Sequence, residues 1–503
     1  MWYKNCLNKF VCINCAIIRR KHKDTHWSVI AKKKTAKDKA LLHFDELYKS
    51  IYGSEWPSIR LALLSQQKYC AVVNNFSDSE ETISALKKLG AVDIREVFKA
   101  ELKYQENEEI LIKDSRKKLS ARKEKLSDSF STNQLPGPLY DVSSKDTVSQ
   151  GFQDSETDSS GKRLHENANA ASLRSQLSQS ELEYDRIVKP DLSGAVSASA
   201  LHEFVPATKL KGMEDWVLES EHYSGYQESM DFPIVKKKED TLFYPKYWNI
   251  FSYIRGDVSR YPHPSRGKAG VYNYYLLDAA SILPVLALDI TNGDRVLDMC
   301  AGPGGKSFLI LQTLYPERLV SNDVQGSRVG RIKGVMDDYF FKLKNWSNNM
   351  SVSHRDGRVI DEENTFNKIL VDVPCTTDRH AVLENDNNIF SPARVKERIR
   401  LPQLQTELLC NAMKIVRPGG TVVYSTCSLS PVQNDGVVHM ALKRIWEETK
   451  IEMEVRDMKN ALKATRNVFK FSTSQGLRYG HLVLPFLPNN FGPSYFCKLV
   501  RKK

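Results

Sequence analysis

Hydrophobic positions follow two alternating patterns along the second half of the chain, from Gly270 onward. Short apolar runs such as "FNKILVDVP" have the length of buried strands, and longer amphipathic runs such as "LPQLQTELLCNAMKIV" lie between them. Strands that alternate with helices build a mainly parallel sheet with helices on both faces. We therefore predict an α/β domain with a doubly wound, mainly parallel, Rossmann-like sheet over residues 270–503.

Seven strands are predicted in this domain, each as a short apolar run bounded by polar residues. They are "DRVLDMC", "RLVSND", "SVSHRDG", "FNKILVDVP", "GTVVYST", "GHLVLPF" and "SYFCKLV". A helix, "YYLLDAASILPVLAL", is predicted in front of the first strand. Ligands of such sheets bind where the carboxyl ends of the strands open, so residues at those ends are the candidates for function.

The first half of the chain changes its pattern twice. Residues 36–104 carry apolar side chains at helical spacing, as in "HFDELYKSIYG", and predict an N-terminal helical region. Residues 105–205 are rich in Ser, Lys and Asp and poor in large apolar side chains. Such a segment cannot bury enough surface to offset its ordering entropy, and we predict a disordered insert.

Residues 206–269 lead into the regular domain and interleave aromatic side chains with Arg and Lys. The stretch "YPKYWNIFSYIRGDVSRYPHPSRGK" has a composition that suits stacked bases and phosphates. The same stretch is compatible with an amphipathic packing segment. We expect RNA contacts here, with packing as the alternative.

The chain of 503 residues carries a formal net charge of +12, which is typical of proteins that bind a polyanion such as nucleic acid. It has no apolar run of about 18 residues, so we expect no membrane span. Residues 1–35 are basic, poor in acids and amphipathic, which is typical of a mitochondrial transit segment. A basic RNA-binding arm or a nuclear signal is the alternative.

The 9 cysteines show no regular spacing, which indicates reduced thiols in an intracellular compartment. Cys12 and Cys15 form one C-x-x-C pair, but no second pair follows, so we predict no metal site.

A glycine-rich turn, "DMCAGPGGKS", follows the first predicted strand. Its Gly-Lys-Ser ending is that of a phosphate loop, but Cys300 occupies a position where that motif requires glycine. We therefore exclude a nucleoside triphosphatase. Gly302, Gly304 and Gly305 instead predict a turn at which a ligand approaches the backbone closely.

Four consecutive predicted strands end in or near an aspartate, and these acids are Asp298, Asp323, Asp356 and Asp372. A carboxylate at the second position can accept both ribose hydroxyls, and one at the third can accept an adenine amino group. Four carboxylates would repel phosphates but tolerate a cation. S-adenosylmethionine, an adenosine with a cationic sulfonium, fits this pattern, and we predict it as the cofactor.

Two cysteines lie at the same predicted edge, Cys375 after the fourth strand and Cys427 after the fifth. Carbon 5 of cytosine is too weak a nucleophile to take a methyl group directly, but a thiolate that adds to carbon 6 activates it. The proton on carbon 5 and the thiol must then leave, so a second group has to assist. Two thiols in one pocket suit this chemistry, and a disulfide is the alternative.

The segments "LDMCAGPGGKS", "RDGR", "VDVPC" and "TVVYSTCS", in this order, resemble the Sun-domain (Fmu-type) RNA cytosine-5 methyltransferases over roughly residues 206–503. The segments "VDVPCTTDRH" and "NNFGPSYFCK" look closest to the mitochondrial ribosomal RNA member of that family, which residues 36–100 also resemble. The resemblance implies a Rossmann-like methyltransferase fold and methyl transfer from S-adenosylmethionine to carbon 5 of cytosine in RNA. A non-catalytic ribosome assembly factor with this fold is the alternative, and the presence of both cysteines favours the enzyme.

The resemblance also implies roles for individual residues. Cys427 would be the nucleophile that forms a covalent adduct with the base, and Cys375 would assist its release. The residues expected to hold the cofactor are Gly304, Gly305, Lys306, Asp323, Arg328, Asp356, Gly357 and Asp372. Asp372 would also lie near the target base. Further implications are a mitochondrial matrix location, support of mitochondrial ribosome assembly, and a helical-repeat partner of the mitochondrial termination-factor family.

Overall fold

The structure of the chain, a computed structural model, describes residues 34–105, 107, 232–340, 348–473 and 477–502. These residues except Asn107 belong to one compact unit. The predicted transit segment lies outside the described residues except for residues 34 and 35. So do the first part of the predicted lead-in, up to residue 231, and the predicted insert apart from Gln105 and Asn107.

The N-terminal region contains strands as well as the predicted helices. Its elements are α1 (Ala36–Tyr52), α2 (Trp56–Leu64), β1 (Cys70–Val73), α3 (Ser79–Lys88) and β2 (Val92–Asp93), and the lead-in adds β3 (Val235–Lys238) and β4 (Ile250–Ser252). With β5 (Tyr274–Leu277), a four-stranded sheet forms in the order β2–β4–β1–β5. The central strand β1 is buried along its whole length and pairs antiparallel with both neighbours.

The segment predicted as one helix in front of the first large-sheet strand divides into two elements. Its first residues, Tyr274–Leu277, form β5, and helix α4 (Ile282–Ala287) begins after a short turn. Asp278 ends the strand because its Oδ1 accepts a hydrogen bond from the Ala280 N–H at 3.0 Å. The helix prediction was wrong at Tyr274 because pairing with distant β1 overrides the local apolar pattern.

The larger sheet is built by β3 and the strands that follow β5. The latter are β6 (Arg295–Asp298), β7 (Arg318–Asn322), β8 (Met350–Ser353), β9 (Phe366–Asp372), β10 (Val416–Thr426), β11 (Met453–Asp457), β12 (Lys470–Phe471), β13 (His481–Leu484) and β14 (Ser494–Arg501). The helices among them are α5 (Gly305–Leu311), α6 (Gly326–Tyr339), α7 (Asp378–Leu383), α8 (Val395–Ile415) and α9 (Val437–Glu448).

Five strands of this sheet are parallel and lie in the order β8–β7–β6–β9–β10. The strand order reverses between β6 and β9, and the carboxyl ends on either side of that point frame the crevice in which such folds bind ligands. Strand β14 pairs antiparallel with β10, and β11, β12, β13 and β3 extend the sheet beyond it. The predicted doubly wound, mainly parallel sheet is confirmed.

Helix α1 packs its aromatic face into the core beneath the carboxyl ends of β9 and β10. Phe44 and Tyr48, with Trp56 at the start of α2, belong to the same apolar cluster as Val371 and Leu429. The Phe44 and Tyr48 rings stack with centroids 4.9 Å apart. Burial of each large apolar side chain is worth about 1.5–3 kcal/mol. The N-terminal region therefore forms part of the floor on which the loops after β9 and β10 rest.

Within the described ranges, no helix has the length and apolar character needed to cross a membrane. The same residues contain no group of three or more His, Cys, Asp or Glu side chains arranged to hold a metal ion.

Candidate active site

The glycine-rich turn connects β6 to α5 and lies against the loop after β7. Gly304 has a φ of +113°, a conformation that glycine adopts without steric cost. At Gly302, a Cβ atom would lie 2.7 Å from Asp323 Oδ2. Both glycines are therefore required by the geometry of the turn, and the close approach of a ligand stays a prediction.

Asp323 follows β7 and holds this turn in place. It is 2% exposed, its Oδ2 accepts a hydrogen bond from the Gly302 N–H at 3.2 Å, and its Oδ1 accepts one from the Gln325 N–H at 2.9 Å. Arg328 Nη1 lies 3.9 Å from the same carboxylate. The predicted ribose-binding acid is therefore fixed beside the glycine turn.

Lys306 connects the glycine turn to the edge that carries the thiols. Its Nζ donates to Asp372 Oδ2 at 2.7 Å, and Ser425 Oγ donates to Asp372 Oδ1 at 2.7 Å. Burial lowers the pKa of Lys306, but Asp372 and the nearby Cys427 sulfur outweigh this effect and raise it. The side chain therefore stays an ammonium beside the crevice.

Asp298, at the end of β6, is a fully buried carboxyl with one unsatisfied oxygen. Ser307 Oγ donates to Oδ2 at 2.6 Å, while Oδ1 has no hydrogen-bond partner among the described residues. Burial raises the pKa of Asp298 to about 7, and the nearby charges of Asp372 and Asp323 contribute in the same direction. An orphaned oxygen among neighbouring carboxylates favours a cationic ligand, so these residues fit a sulfonium-bearing cofactor.

Asp356 and Gly357 follow β8 at the same edge of the sheet. Asp356 Oδ2 accepts from Arg358 Nη2 at 2.7 Å, and its Oδ1 accepts from the Arg358 N–H at 3.0 Å. The guanidinium of Arg358 lowers the pKa of Asp356. A Cβ at Gly357 would lie 2.8 Å from both Met299 and Leu408 side-chain atoms. The site therefore leaves no room for a larger residue at this position.

The two predicted thiols meet at the carboxyl ends of β9 and β10. Cys427 is exposed, Cys375 is buried, and both are free. Their Sγ atoms are 2.9 Å apart, and the Cys427 N–H points to Cys375 Sγ at 3.3 Å. The disulfide alternative is not observed. The Cys427 sulfur lies close enough to Lys306 and Asp372 to interact electrostatically with both, and Ser425, two residues before Cys427, donates to Asp372.

The two thiols lie close enough to titrate as a pair. Their contact of 2.9 Å lowers the pKa of Cys375 and raises the pKa of Cys427 well above its usual value. The positive charge of Lys306 acts in the opposite direction on Cys427. The first proton is thus lost readily from the pair and the second with difficulty, which is the behaviour of two interacting acids.

A set of buried polar residues that support these loops was not predicted from the sequence. Gln405 Nε2 donates to the Pro374 carbonyl at 2.8 Å, and Gln433 Oε1 accepts from the Thr376 N–H at 3.2 Å. Asp378 receives hydrogen bonds from both cysteine-bearing loops. The one signal for this set in the sequence was that Asp378 follows Cys375 by only three residues.

Comparison with known proteins gives consistent matches. A family model described as "16S rRNA methyltransferase RsmB/F" matches residues 285–488. The "5-cytosine rRNA methyltransferase NSUN4" of Xenopus tropicalis is 34% identical over 490 residues, which cover 97% of this chain and 96% of that protein. The "5-cytosine rRNA methyltransferase nsun-4" of Caenorhabditis elegans is 32% identical and covers 93% of this chain and 92% of its own length.

The NSUN4 protein of Mus musculus is 47% identical over 253 residues, or 50% of this chain and 66% of that protein. The higher identity lies in a shorter match, whereas the frog and worm proteins align with nearly the whole chain, including its N-terminal region. On the strength of these full-length matches, the chain belongs to the NSUN4 family of 5-cytosine rRNA methyltransferases.

Proposed function

We propose that this chain transfers a methyl group from S-adenosylmethionine to carbon 5 of a cytosine in ribosomal RNA, through a covalent adduct with Cys427. The observation that supports this most strongly is the pair of free thiols 2.9 Å apart. They lie at the ends of β9 and β10, and Asp372, the last residue of β9, pairs with Lys306 of α5 at 2.7 Å. A protein that only assembles ribosomes has no need of such a pair, and this disfavours the non-catalytic alternative.

The cofactor would be held along the carboxyl ends of β6, β7, β8 and β9. The glycine turn and Asp323 would receive its ribose, the loop with Asp356 and Gly357 its adenine, and Lys306, Arg328 and Asp372 would complete the site. When bound, S-adenosylmethionine supplies an electrophilic methyl group. The unpartnered oxygen of Asp298 and the charge of Asp372 favour the positive end of the ligand on this side.

The two thiols would divide the chemistry on the base. Cys427 is the exposed sulfur, so it can reach carbon 6 of a cytosine that has left its stack. Cys427 must first lose its proton, and Cys375 lies 2.9 Å away to accept it. The contact itself gives Cys375 the lower pKa, so this transfer is uphill in the pair alone, and the charge of Lys306, which lowers the pKa of Cys427, favours the thiolate there. After carbon 5 has received the methyl group, its proton passes to a water molecule, and the electron pair returned to the ring expels Cys427 as a thiolate. Cys375, which holds the proton taken from Cys427, lies within reach to protonate the departing sulfur.

The proposed substrate is mitochondrial ribosomal RNA, in the mitochondrial matrix, where the modification would support ribosome assembly. The basic, acid-poor residues 1–35 and the net charge of +12 support this placement. A related protein of Danio rerio, "tRNA (cytosine(34)-C(5))-methyltransferase, mitochondrial", is 38% identical over 251 residues. A helical-repeat protein of the mitochondrial termination-factor family is the proposed partner.

The test uses the purified full chain, isotopically labelled S-adenosylmethionine and transcripts of the small and large mitochondrial ribosomal RNAs. We expect label at one or a few cytosines, located by bisulfite sequencing, and none with Cys427→Ser. Cys410→Ser, which changes a buried thiol in α8, is the matched control and should retain transfer. If no ribosomal RNA were labelled but a transfer RNA were, the proposed substrate would be wrong and transfer RNA would replace it.

A further inference from the structure

A carboxylate without a predicted role lies directly beneath the two thiols. Asp378, the first residue of α7, is completely buried. A buried carboxylate is stable only where several donors face it, because burial without hydrogen bonds costs far more than the fold can supply. The identity of those donors therefore shows what the residue holds together.

The donors to Asp378 come from three separate segments of the chain. The loop after β10 provides the Leu429 N–H at 2.7 Å and Ser428 Oγ at 3.1 Å. The loop after β9 provides Thr376 Oγ1. Helix α1 provides the Tyr48 hydroxyl at 2.8 Å.

Each of the two cysteines is followed directly by one of these donors. Thr376 follows Cys375, and Ser428 follows Cys427, and the two hydroxyl oxygens are themselves 2.8 Å apart. The Asp378 N–H adds a contact of 3.4 Å to the Cys427 carbonyl oxygen. Hydrogen bonds to a charged acceptor are the stronger kind. The Asp378 carboxylate thus fixes Thr376 and Ser428, the residues next to the two cysteines. Because these neighbours are fixed, the separation of the two sulfurs is fixed as well.

We propose that Asp378 is a positioning residue for the reaction: its carboxylate clamps the two cysteine loops at their working separation, and α1 completes the clamp through Tyr48. The assignment of the reaction rests on the proposed function, but the separation of the thiols can be measured without RNA. Asp378 is completely buried and contacts the residues next to both cysteines, so its effect would reach the chemistry through Cys375 and Cys427.

The first test is Asp378→Asn, which keeps the shape of the side chain and removes its charge and part of its acceptor capacity. We expect kcat for RNA methylation to fall about tenfold or more, the effect of one lost hydrogen bond to a charged group. The KM for S-adenosylmethionine should not change, because none of the predicted cofactor residues is among the hydrogen-bond donors to Asp378.

The matched control is Asp294→Asn at the start of β6. Asp294 is 5% exposed, and its carboxylate accepts hydrogen bonds from the Thr291 N–H at 2.7 Å and the Thr291 hydroxyl at 3.0 Å, at the opposite edge of the sheet. The Asp294→Asn variant should have a lower free energy of unfolding, because a buried carboxyl has been changed. Its kcat per folded molecule should stay at the wild-type value. Equal kcat for the two variants would overturn the clamp, since burial alone would then explain both.

The second measurement is the effective concentration of one thiol toward the other. It is obtained from the equilibrium between the two thiols and their disulfide in glutathione redox buffers. Cys375 and Cys427 are oxidised to a disulfide as glutathione disulfide is reduced to two thiols, and alkylation with mass spectrometry gives the oxidised fraction. We expect Asp378→Asn to lower the effective concentration about tenfold, in step with kcat. An unchanged value would show that other contacts set the separation and would overturn the proposal.

Tyr48→Phe keeps the proposal testable if Asp378→Asn does not fold. The substitution removes one hydroxyl and keeps the ring between Phe44 and Trp56. We expect smaller decreases in kcat and in effective concentration than with Asp378→Asn, and wild-type values of both would contradict the role of α1. A wild-type chain that methylates no RNA would refute the proposed function but leave the glutathione measurement able to decide on the clamp.

Discussion

Single residues in the crevice show how the fold assigns different tasks to chemically identical side chains. Asp372 is satisfied by Lys306 and Ser425, Asp323 by the backbone of the glycine turn, and Asp298 keeps one oxygen unpaired. The sequence identified all three as acids at strand ends. It did not show how each carboxylate is partnered, because the partners lie on other elements of the chain.

The burial of Asp298 predicts a pH dependence of stability. Its pKa in the fold, about 7, exceeds the ordinary value of 3.8, so the folded chain binds more protons than the unfolded chain between these values. The contribution of Asp298 to the free energy of unfolding should therefore fall as the pH rises from about 4 to about 7, by up to about 4 kcal/mol. In urea titrations, Asp298→Asn should remove this part of the pH dependence. A parallel pH profile for the two proteins would contradict the assignment.

Asp323 should determine the affinity for the cofactor. Charge-assisted hydrogen bonds to a ribose are worth roughly 1.5–3 kcal/mol. Asp323→Ala should therefore weaken S-adenosylmethionine binding by about tenfold or more in calorimetry. Asp361→Ala, at an exposed acid in the loop that follows Gly357, should bind normally. Equal affinities of the two variants would remove Asp323 from the cofactor site.

At the scale of elements, the turn between β6 and α5 is a backbone shape that glycine alone permits. Gly304→Ala would place a side chain where φ is +113° and where Ile332 Cα would lie 3.4 Å from the new Cβ. Strain of this kind costs about 1–3 kcal/mol. We expect weaker cofactor binding and a lower Tm. The matched substitution is Gly330→Ala, in α6 with open space around it, and it should stabilise the helix by up to about 1 kcal/mol. If Gly330→Ala lowered the Tm as Gly304→Ala does, backbone strain at Gly304 would not be the cause of the loss.

The elements that could be predicted from the sequence are those whose pattern is local. Strands β6, β7, β9 and β10 were found because each is a short apolar run, and their order placed Cys375 and Cys427 at one edge. Strand β5 was missed because it is stabilised by β1, about 200 residues earlier in the chain. The role of Asp378 was missed for the same reason, since its partner Tyr48 is 330 residues away.

At the scale of the whole molecule, the N-terminal region and the larger sheet form one compact unit. Helix α1 contributes to the core beneath the thiols, and Arg379 of α7 donates to the carbonyls of Ala62 and Ser65 at 3.0 and 3.3 Å. A truncation that begins at residue 232 should therefore lose methyl transfer even though it keeps every predicted site residue. Full activity of that fragment would contradict this coupling, and a thermal denaturation curve would show whether it folds.

The predicted insert should behave in the opposite way. Residues 105–205 are polar and poor in aromatic side chains, and a shorter connection changes loop-closure entropy only slowly. Deletion of residues 130–195 should leave the Tm and methyl transfer nearly unchanged. A deletion variant that does not fold would mean that the predicted boundary is wrong. Normal folding with weaker, less salt-dependent RNA binding would instead assign the basic residues of the insert to RNA.

The division of labour between the two thiols is the central claim, and the most direct test is a denaturing gel of RNA–protein adducts. Wild type, Cys375→Ala and Cys427→Ala are incubated with S-adenosylmethionine and labelled ribosomal RNA. Because Cys427 adds to the base and Cys375 assists its release, Cys375→Ala should accumulate a slowly migrating covalent adduct. Cys427→Ala should form no adduct and no 5-methylcytosine. An adduct that accumulates in Cys427→Ala and is absent from Cys375→Ala would contradict the account and exchange the two roles.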